Sequence, residues 1–157
     1  MKLALALVAV ATSASLPKAG TLVPGHSLGG IRLGESAAQA TATLGTFYGV
    51  CDGCTRTTWY FTYGKWTRSG LALELTSGRV TAVYTVWSPP GWRTRSGVRL
   101  GAPEAQFFAL DGPFRQVSCR GYDVFVHDAH GTRTAYYVVD QKLWGFGLLR
   151  ARANPCR

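Results

Sequence analysis

The sequence predicts an α+β fold, two tandem helix-plus-antiparallel-sheet repeats forming one extended sheet with the helices on one face. Three observations predict it: an internal repeat, a short helix signal at the head of each copy, and alternating apolar strands after each helix. Gly30-Ile31-Arg32-Leu33-Gly34 returns as Gly97-Val98-Arg99-Leu100-Gly101. At the same offset, Ala38-Gln39, Gly45 and Phe47 return as Ala105-Gln106, Gly112 and Phe114. Chance rarely gives eight identities over positions 30 to 47.

The first element is removed rather than folded. Lys2, the apolar run Leu3 to Ala11 and the small residues Thr12 to Ser15 read as a secretory signal peptide, with cleavage expected after Ala14 and with Ser13 and Ala19 as the alternative sites. The apolar run is too short to span a bilayer, and no later segment is apolar enough to do so. The predicted organisation is therefore a signal peptide at 1–14, repeat 1 at 28–88, a linker at 89–96 around Pro89-Pro90-Gly91, and repeat 2 at 97–157.

Within the repeats, Ser36 to Leu44 and Pro103 to Leu110 predict short helices, with Pro103 at a first helical position and Gly45 and Gly112 as terminators. At two turns each, these helices need a surface to pack on. That surface is predicted from Trp59 to Tyr63, Leu71 to Leu75 and Arg79 to Trp87 in the first copy, the last two joined by Thr76-Ser77-Gly78. Tyr122 to His127, Thr134 to Val139 and Leu143 to Arg150 correspond in the second copy. The spacing there shortens by four residues, because the first copy carries an insertion that contains Cys51-Asp52-Gly53-Cys54.

Export sets the reading of cysteines and charge. Cys51, Cys54, Cys119 and Cys156 are an even set expected to oxidise outside the cytoplasm. Of the three possible pairings, the inserted loop favours Cys51 with Cys54, leaving Cys119 with Cys156. The chain carries 17 Lys and Arg against 8 Asp and Glu, a net charge of +9, mostly as arginine. Such a surface favours anionic partners or keeps the protein soluble. For an exported chain, an acidic protein or an anionic envelope polymer is expected before nucleic acid.

Several motifs hint at chemistry without sustaining it. Gly25-His26-Ser27-Leu28-Gly29 matches the G-x-S-x-G nucleophile elbow, which needs a core strand before the serine and a helix directly after it. Thr21 to Pro24 predicts no core strand, and Ser27 is predicted to sit in a loop leading into repeat 1, dispensable and unactivated. Cys51-x-x-Cys54 runs toward a strand instead of opening a helix that would lower a thiol pKa, so it predicts a structural loop disulfide. Zinc would need a second close cysteine pair, which Cys119 and Cys156 do not make. His127-x-x-His130 falls where one strand turns into the next, and predicts a solvated hairpin. No acidic pair or phosphate loop stands out. The expectation is a non-enzymatic protein without cofactor or metal.

From about residue 28 to 150, the repeat resembles the beta-lactamase inhibitory protein family, and is similar to the SmpA-OmlA-like outer-membrane assembly lipoproteins that share its fold. The likeness rests on a Leu-Gly turn, a short helix ending in glycine (Leu33-Gly34 to Gly45, Leu100-Gly101 to Gly112-Pro113) and antiparallel strands in a disulfide-bearing secreted chain. It implies a long concave sheet that binds a protein. The family's inhibitory loops have no match here, and no inhibitory residue is carried over.

Strand alternation then locates the working face. Leu71, Leu73 and Leu75 should meet the helices, joined in the second copy by Thr134, Tyr136, Val138, Leu143 and Leu149. The opposite face should carry Glu74, Val83, Val139 and the candidate partner-binding residues Tyr60, Trp87, Phe125, Tyr137, Trp144, Phe146 and Arg150. A sheet face that only meets water is polar, whereas aromatic rings with arginine are enriched at interfaces. The expected function is a secreted protein-binding, inhibitor-like module that binds a secreted or envelope protein. The alternative is a binding module for an anionic or glycan envelope component.

Overall fold

The computed structural model describes residues 20–51, 53–62 and 69–157. The signal segment and Tyr63 lie outside the described residues. The described chain forms β1 (Thr21–Val23), β2 (Ser27–Leu28), α1 (Ala37–Leu44), β3 (Gly49–Val50), β4 (Thr57–Thr62), β5 (Gly70–Thr76) and β6 (Arg79–Val86). It continues with β7 (Arg93–Thr94), α2 (Glu104–Asp111), β8 (Arg115–Cys119), β9 (Tyr122–Ala129), β10 (Thr132–Val139) and β11 (Lys142–Arg150).

Eight strands make one antiparallel sheet in the order β3-β4-β5-β6-β11-β10-β9-β8. The hairpins follow from local chemistry. Ser77-Gly78 and His130-Gly131 both adopt positive φ, as two-residue turns between right-twisted strands require. Helix α1 starts with a capping box in which Ser36 Oγ accepts from the Gln39 amide and Gln39 Oε1 accepts from the Ser36 amide. It ends at Gly45, φ 89°.

The fold class expected from sequence is corrected by this architecture. Strands account for 49% of the described residues and helices for 12%, so the protein is mostly β and not a pair of tandem helix-plus-sheet repeats. Two physical reasons account for the difference. The helices are only 8 residues each, too short to form a layer of their own. In addition, segments expected to be loops are strands. Thr21–Val23, expected to hold no core strand, is the centre of a second sheet in the order β2-β1-β7, antiparallel to β2 and parallel to β7. Its Leu22 is fully buried. Ser27 lies on β2, buried, and not on a strand-to-helix turn.

The main core lies between the large sheet and a cover made of both helices and the small sheet. Leu71, Leu73 and Leu75 of β5 share it with Ala40 and Leu44 of α1, Phe107 of α2, Leu22 and Leu28 of the small sheet, and Trp92 just before β7. Trp92 packs so closely on Gly29 (φ 60°) that a Cβ there would fall 2.7 Å from the indole. A second, smaller apolar cluster lies on the opposite face: Ala82, Val124, Val126, Ala135, Tyr137 and Leu149. Among the described residues, no helix is long and apolar enough to cross a membrane.

Candidate functional site

The outer face of the large sheet is hollowed into a cleft of about 740 Å³, within the usual range of ligand sites. Sheet alternation supplies its floor. Tyr60 of β4, Glu74 of β5, Tyr84 of β6 and Tyr137 of β10 all point into it. Trp87 and Trp144 stand at its mouth, edge to face with ring centroids 6.1 Å apart, and Trp87 is 57% exposed. Thr55 and Arg56 close one side, and Asn154, Cys156 and Arg157 close another.

Both closing segments are pinned by disulfides. Cys51 pairs with Cys54, and Cys119 with Cys156, the favoured pairing. The second bond holds the tail beyond β11 against the sheet. There the Arg157 amide donates to the Tyr122 hydroxyl, which in turn donates to the Arg157 carbonyl. The Arg157 guanidinium lies over the Tyr84 ring, 5.8 Å from its centroid.

Among the described residues, Glu74 is the one acid that lines the cleft, and it is buried. Arg56 Nη1 donates to its Oε2 at 2.8 Å. Arg157 Nε lies 3.0 Å from its Oε1, an ion pair without hydrogen-bond alignment. Burial, followed by the neighbouring Tyr60 and Glu74, raises the pKa of the Tyr84 phenol well above the ordinary range. Burial does the same for Tyr137, against the opposing pull of Arg157. Both therefore remain hydroxyl donors at neutral pH.

Of the residues expected on this face, Tyr60, Trp87, Tyr137, Val139 and Trp144 line the cleft. Phe125, Phe146 and Val83 do not: all three belong to the core beneath the helices. Phe125 packs its ring tilted against Phe107 and edge-on against Phe108 and Phe114. Phe146 lies edge-on to Tyr136. Conversely Leu149, expected under the helices, belongs to the outer cluster. Arg150 is exposed at the end of β11, away from the cleft lining.

β-Bulges and register explain these reversals. Tyr137 pairs with Gly145 but Val138 pairs with Leu143, so Trp144 is an extra residue. Every side chain after it changes face, sending Phe146 inward and Leu149 outward. Glu74 pairs with Ala82 and Leu75 with Val80, making Thr81 extra and turning Val83 inward. Phe125 faces inward because it pairs directly with Tyr136, a fully buried core residue. The residues missed altogether were Arg56, Tyr84, Tyr122 and Arg157. Glu74 alone interrupts the apolar Leu71-Ala72-Leu73-Glu74-Leu75, a signal that it needed a cationic partner.

The motifs with chemical resonance lie elsewhere. His127 is on β9 with its ring near the Pro113 carbonyl, and His130 occupies the following turn. Among the described residues, no three His, Cys, Asp or Glu side chains gather as a metal site.

Fold and cleft together define a twisted antiparallel sheet, covered on one face and open to a ligand on the other. No family model matches the chain, and no curated protein matches it in sequence. The fold is similar to that of YjgB, a DUF4309 family protein from Bacillus subtilis, with a TM-score of 0.56 and 14% identity over 78% of this chain and 84% of that one. It is also similar to an extracellular protein containing an SCP domain from Bacillus anthracis, with a TM-score of 0.50 and 9% identity over 76% of this chain. This chain matches 44% of that longer protein. At these identities the likeness is one of fold.

Proposed function

We propose that this is an exported, non-catalytic binding protein that engages a partner protein through the aromatic cleft on the outer face of its sheet. The carrying observation is the Trp87–Trp144 pair: two indoles at the mouth of a concave site, one of them more than half exposed. Tryptophan, tyrosine and arginine are the side chains that dominate binding energy at protein interfaces. Export is supported by the signal-like first 14 residues, the two disulfides and the fold's likeness to an extracellular protein. The sequence resemblance to the beta-lactamase inhibitory family carries no weight in this reading, since the tandem-repeat fold it implied is not the fold observed and the similar solved structures are of other kinds. Without matching inhibitory loops, a beta-lactamase is not the proposed target.

The test uses the mature, oxidised protein as bait in culture fluid and envelope extract, followed by affinity measurement with the retained partner. Trp87→Ala and Trp144→Ala should each weaken that affinity by more than about 1 kcal/mol with little change in Tm. Unchanged affinity in both variants refutes the site. The net charge of +9 favours a second reading, in which an anionic or glycan envelope polymer is the ligand. In that case retention falls steeply with added salt and no single protein dominates the eluate.

A further inference from the structure

The aromatic walls account for the cleft's apolar surface but not for the charge at its floor. Glu74 is met by two arginines, so this group of three carries one positive charge in excess, within a protein already at +9. An added cation would find the carboxylate already paired on both oxygens. An anion would find donors to spare.

Among the described residues, two such donors have neither a hydrogen bond nor an ion pair: the Tyr137 hydroxyl, on a residue only 4% exposed, and Arg157 Nη2, while Arg157 Nε has only its ion pair with Glu74. Both residues line the cleft. Buried polar atoms in native proteins are nearly always paired, and an unpaired one points to a missing partner. Here both require an acceptor. Arg56, whose side chain is 51% exposed, lines the same cleft and donates Nη1 to Glu74. A planar guanidinium pair suits a carboxylate, which accepts in a fork. The same cleft is lined by Tyr60, Trp87 and Trp144, which suit a ring or an aliphatic chain.

We propose that the cleft recognises an acidic side chain of the partner protein that lies next to an aromatic or aliphatic residue. This rests on the cleft being the binding site. The carboxylate docks first on Arg56, and a turn of the Arg157 side chain brings its free Nη2, with the Tyr137 hydroxyl behind it, within reach. The neighbouring apolar side chain packs on the tryptophans. Arg157 is held for this role by the Cys119–Cys156 bond next to it.

The test is titration of the mature, oxidised protein with acetyl-Tyr-Glu-amide and its Gln and Lys counterparts, followed by tryptophan fluorescence and NMR shifts. The Glu peptide should bind about tenfold more tightly than the Gln peptide, and the Lys peptide more weakly than either. Arg56→Gln should remove the Glu preference and leave the Gln peptide's affinity in place. Trp87→Ala should weaken the Glu and Gln peptides alike. Equal affinity for Glu and Gln, with Trp87→Ala still weakening both, overturns the acidic recognition and leaves the cleft reading intact. Binding that is indifferent to Trp87→Ala overturns both. Tighter binding of a glucuronate disaccharide than of the Glu peptide also overturns the proposal, in favour of an anionic glycan.

Discussion

Arg133 is buried on β10 and its charge is met by one carboxylate. Nε and Nη2 donate to the two oxygens of Asp128 at 2.7 and 2.8 Å, while Nη1 donates to the Ala153 carbonyl. The Arg133 hydrogen bond is the main reason the Asp128 carboxyl is held below its usual pKa. A lowered folded-state pKa stabilises the fold above the unfolded carboxylate value of about 3.9, and that stability is lost as pH falls through the folded value. Asp128 is 44% exposed, so solvent screening discounts the pair. Asp128→Asn should cost about 1–2 kcal/mol at neutral pH, and the gap between the two melting curves should close in acid. A gap that persists unchanged below the folded pKa would contradict this. On the cleft floor, the ring of Tyr137 lies across Gly147, where a Cβ would fall 2.7 Å from the phenol oxygen. Gly147→Ala should therefore destabilise by about 1–3 kcal/mol through overpacking, as read by denaturant melts. Tyr137 is thus as much a packing residue as a binding one, and the exposed Trp87 is the cleaner probe of function.

At the scale of elements, the two disulfides differ in what they constrain. Cys51–Cys54 closes a loop of separation 3 and Cys119–Cys156 one of separation 37. Chain entropy assigns them about 2 and about 4 kcal/mol respectively. Replacing Cys119 and Cys156 together by serine should lower Tm more than replacing Cys51 and Cys54. It should also free the tail and Arg157 from the cleft, a change that NMR of Tyr122 and Tyr84 would register. Equal losses from the two double variants would contradict the ordering. The bulges at Thr81 and Trp144 act on the same scale. Each is a single extra residue, yet each decides the face of every side chain beyond it in its strand. The Trp144 bulge places an indole at the cleft mouth and sends Phe146 to the core.

At the scale of the whole molecule, both halves of the chain meet in a single sheet. β6 pairs with β11 through Ala82–Leu149, Val83–Leu148 and Tyr84–Gly147, so the outer face runs without a seam. The cleft depends on that union, since Tyr60, Glu74 and Tyr84 come from one side of the junction and Tyr137 and Trp144 from the other. The charge of +9 is also a property of the whole, and should steer anionic partners toward the protein at low ionic strength. In a secreting host, mature protein should begin near Ser15. N-terminal sequencing that finds Met1 intact on exported protein would contradict the export reading.

The sequence by itself determined the features whose causes lie within a few residues of one another. These were the two short helices, although Pro103 precedes α2 as its N-cap residue instead of opening it, six of the strands, the Ser77-Gly78 turn and the inward leucines of β5. The cysteine pairing was legible too, because the insertion kept one pair local. Tertiary structure decided what depends on partners distant in the chain. A bulge is set by cross-strand pairing, so strict alternation misplaced Val83, Phe146 and Leu149. A two-residue strand such as β2 or β7 has too little sequence to announce itself, and exists only because β1 lies between the two. The charged floor of the cleft needed both. Glu74 was visible as an acid in an apolar strand, but only the fold brings Arg56 across from the insertion and Arg157 back over the sheet to meet it.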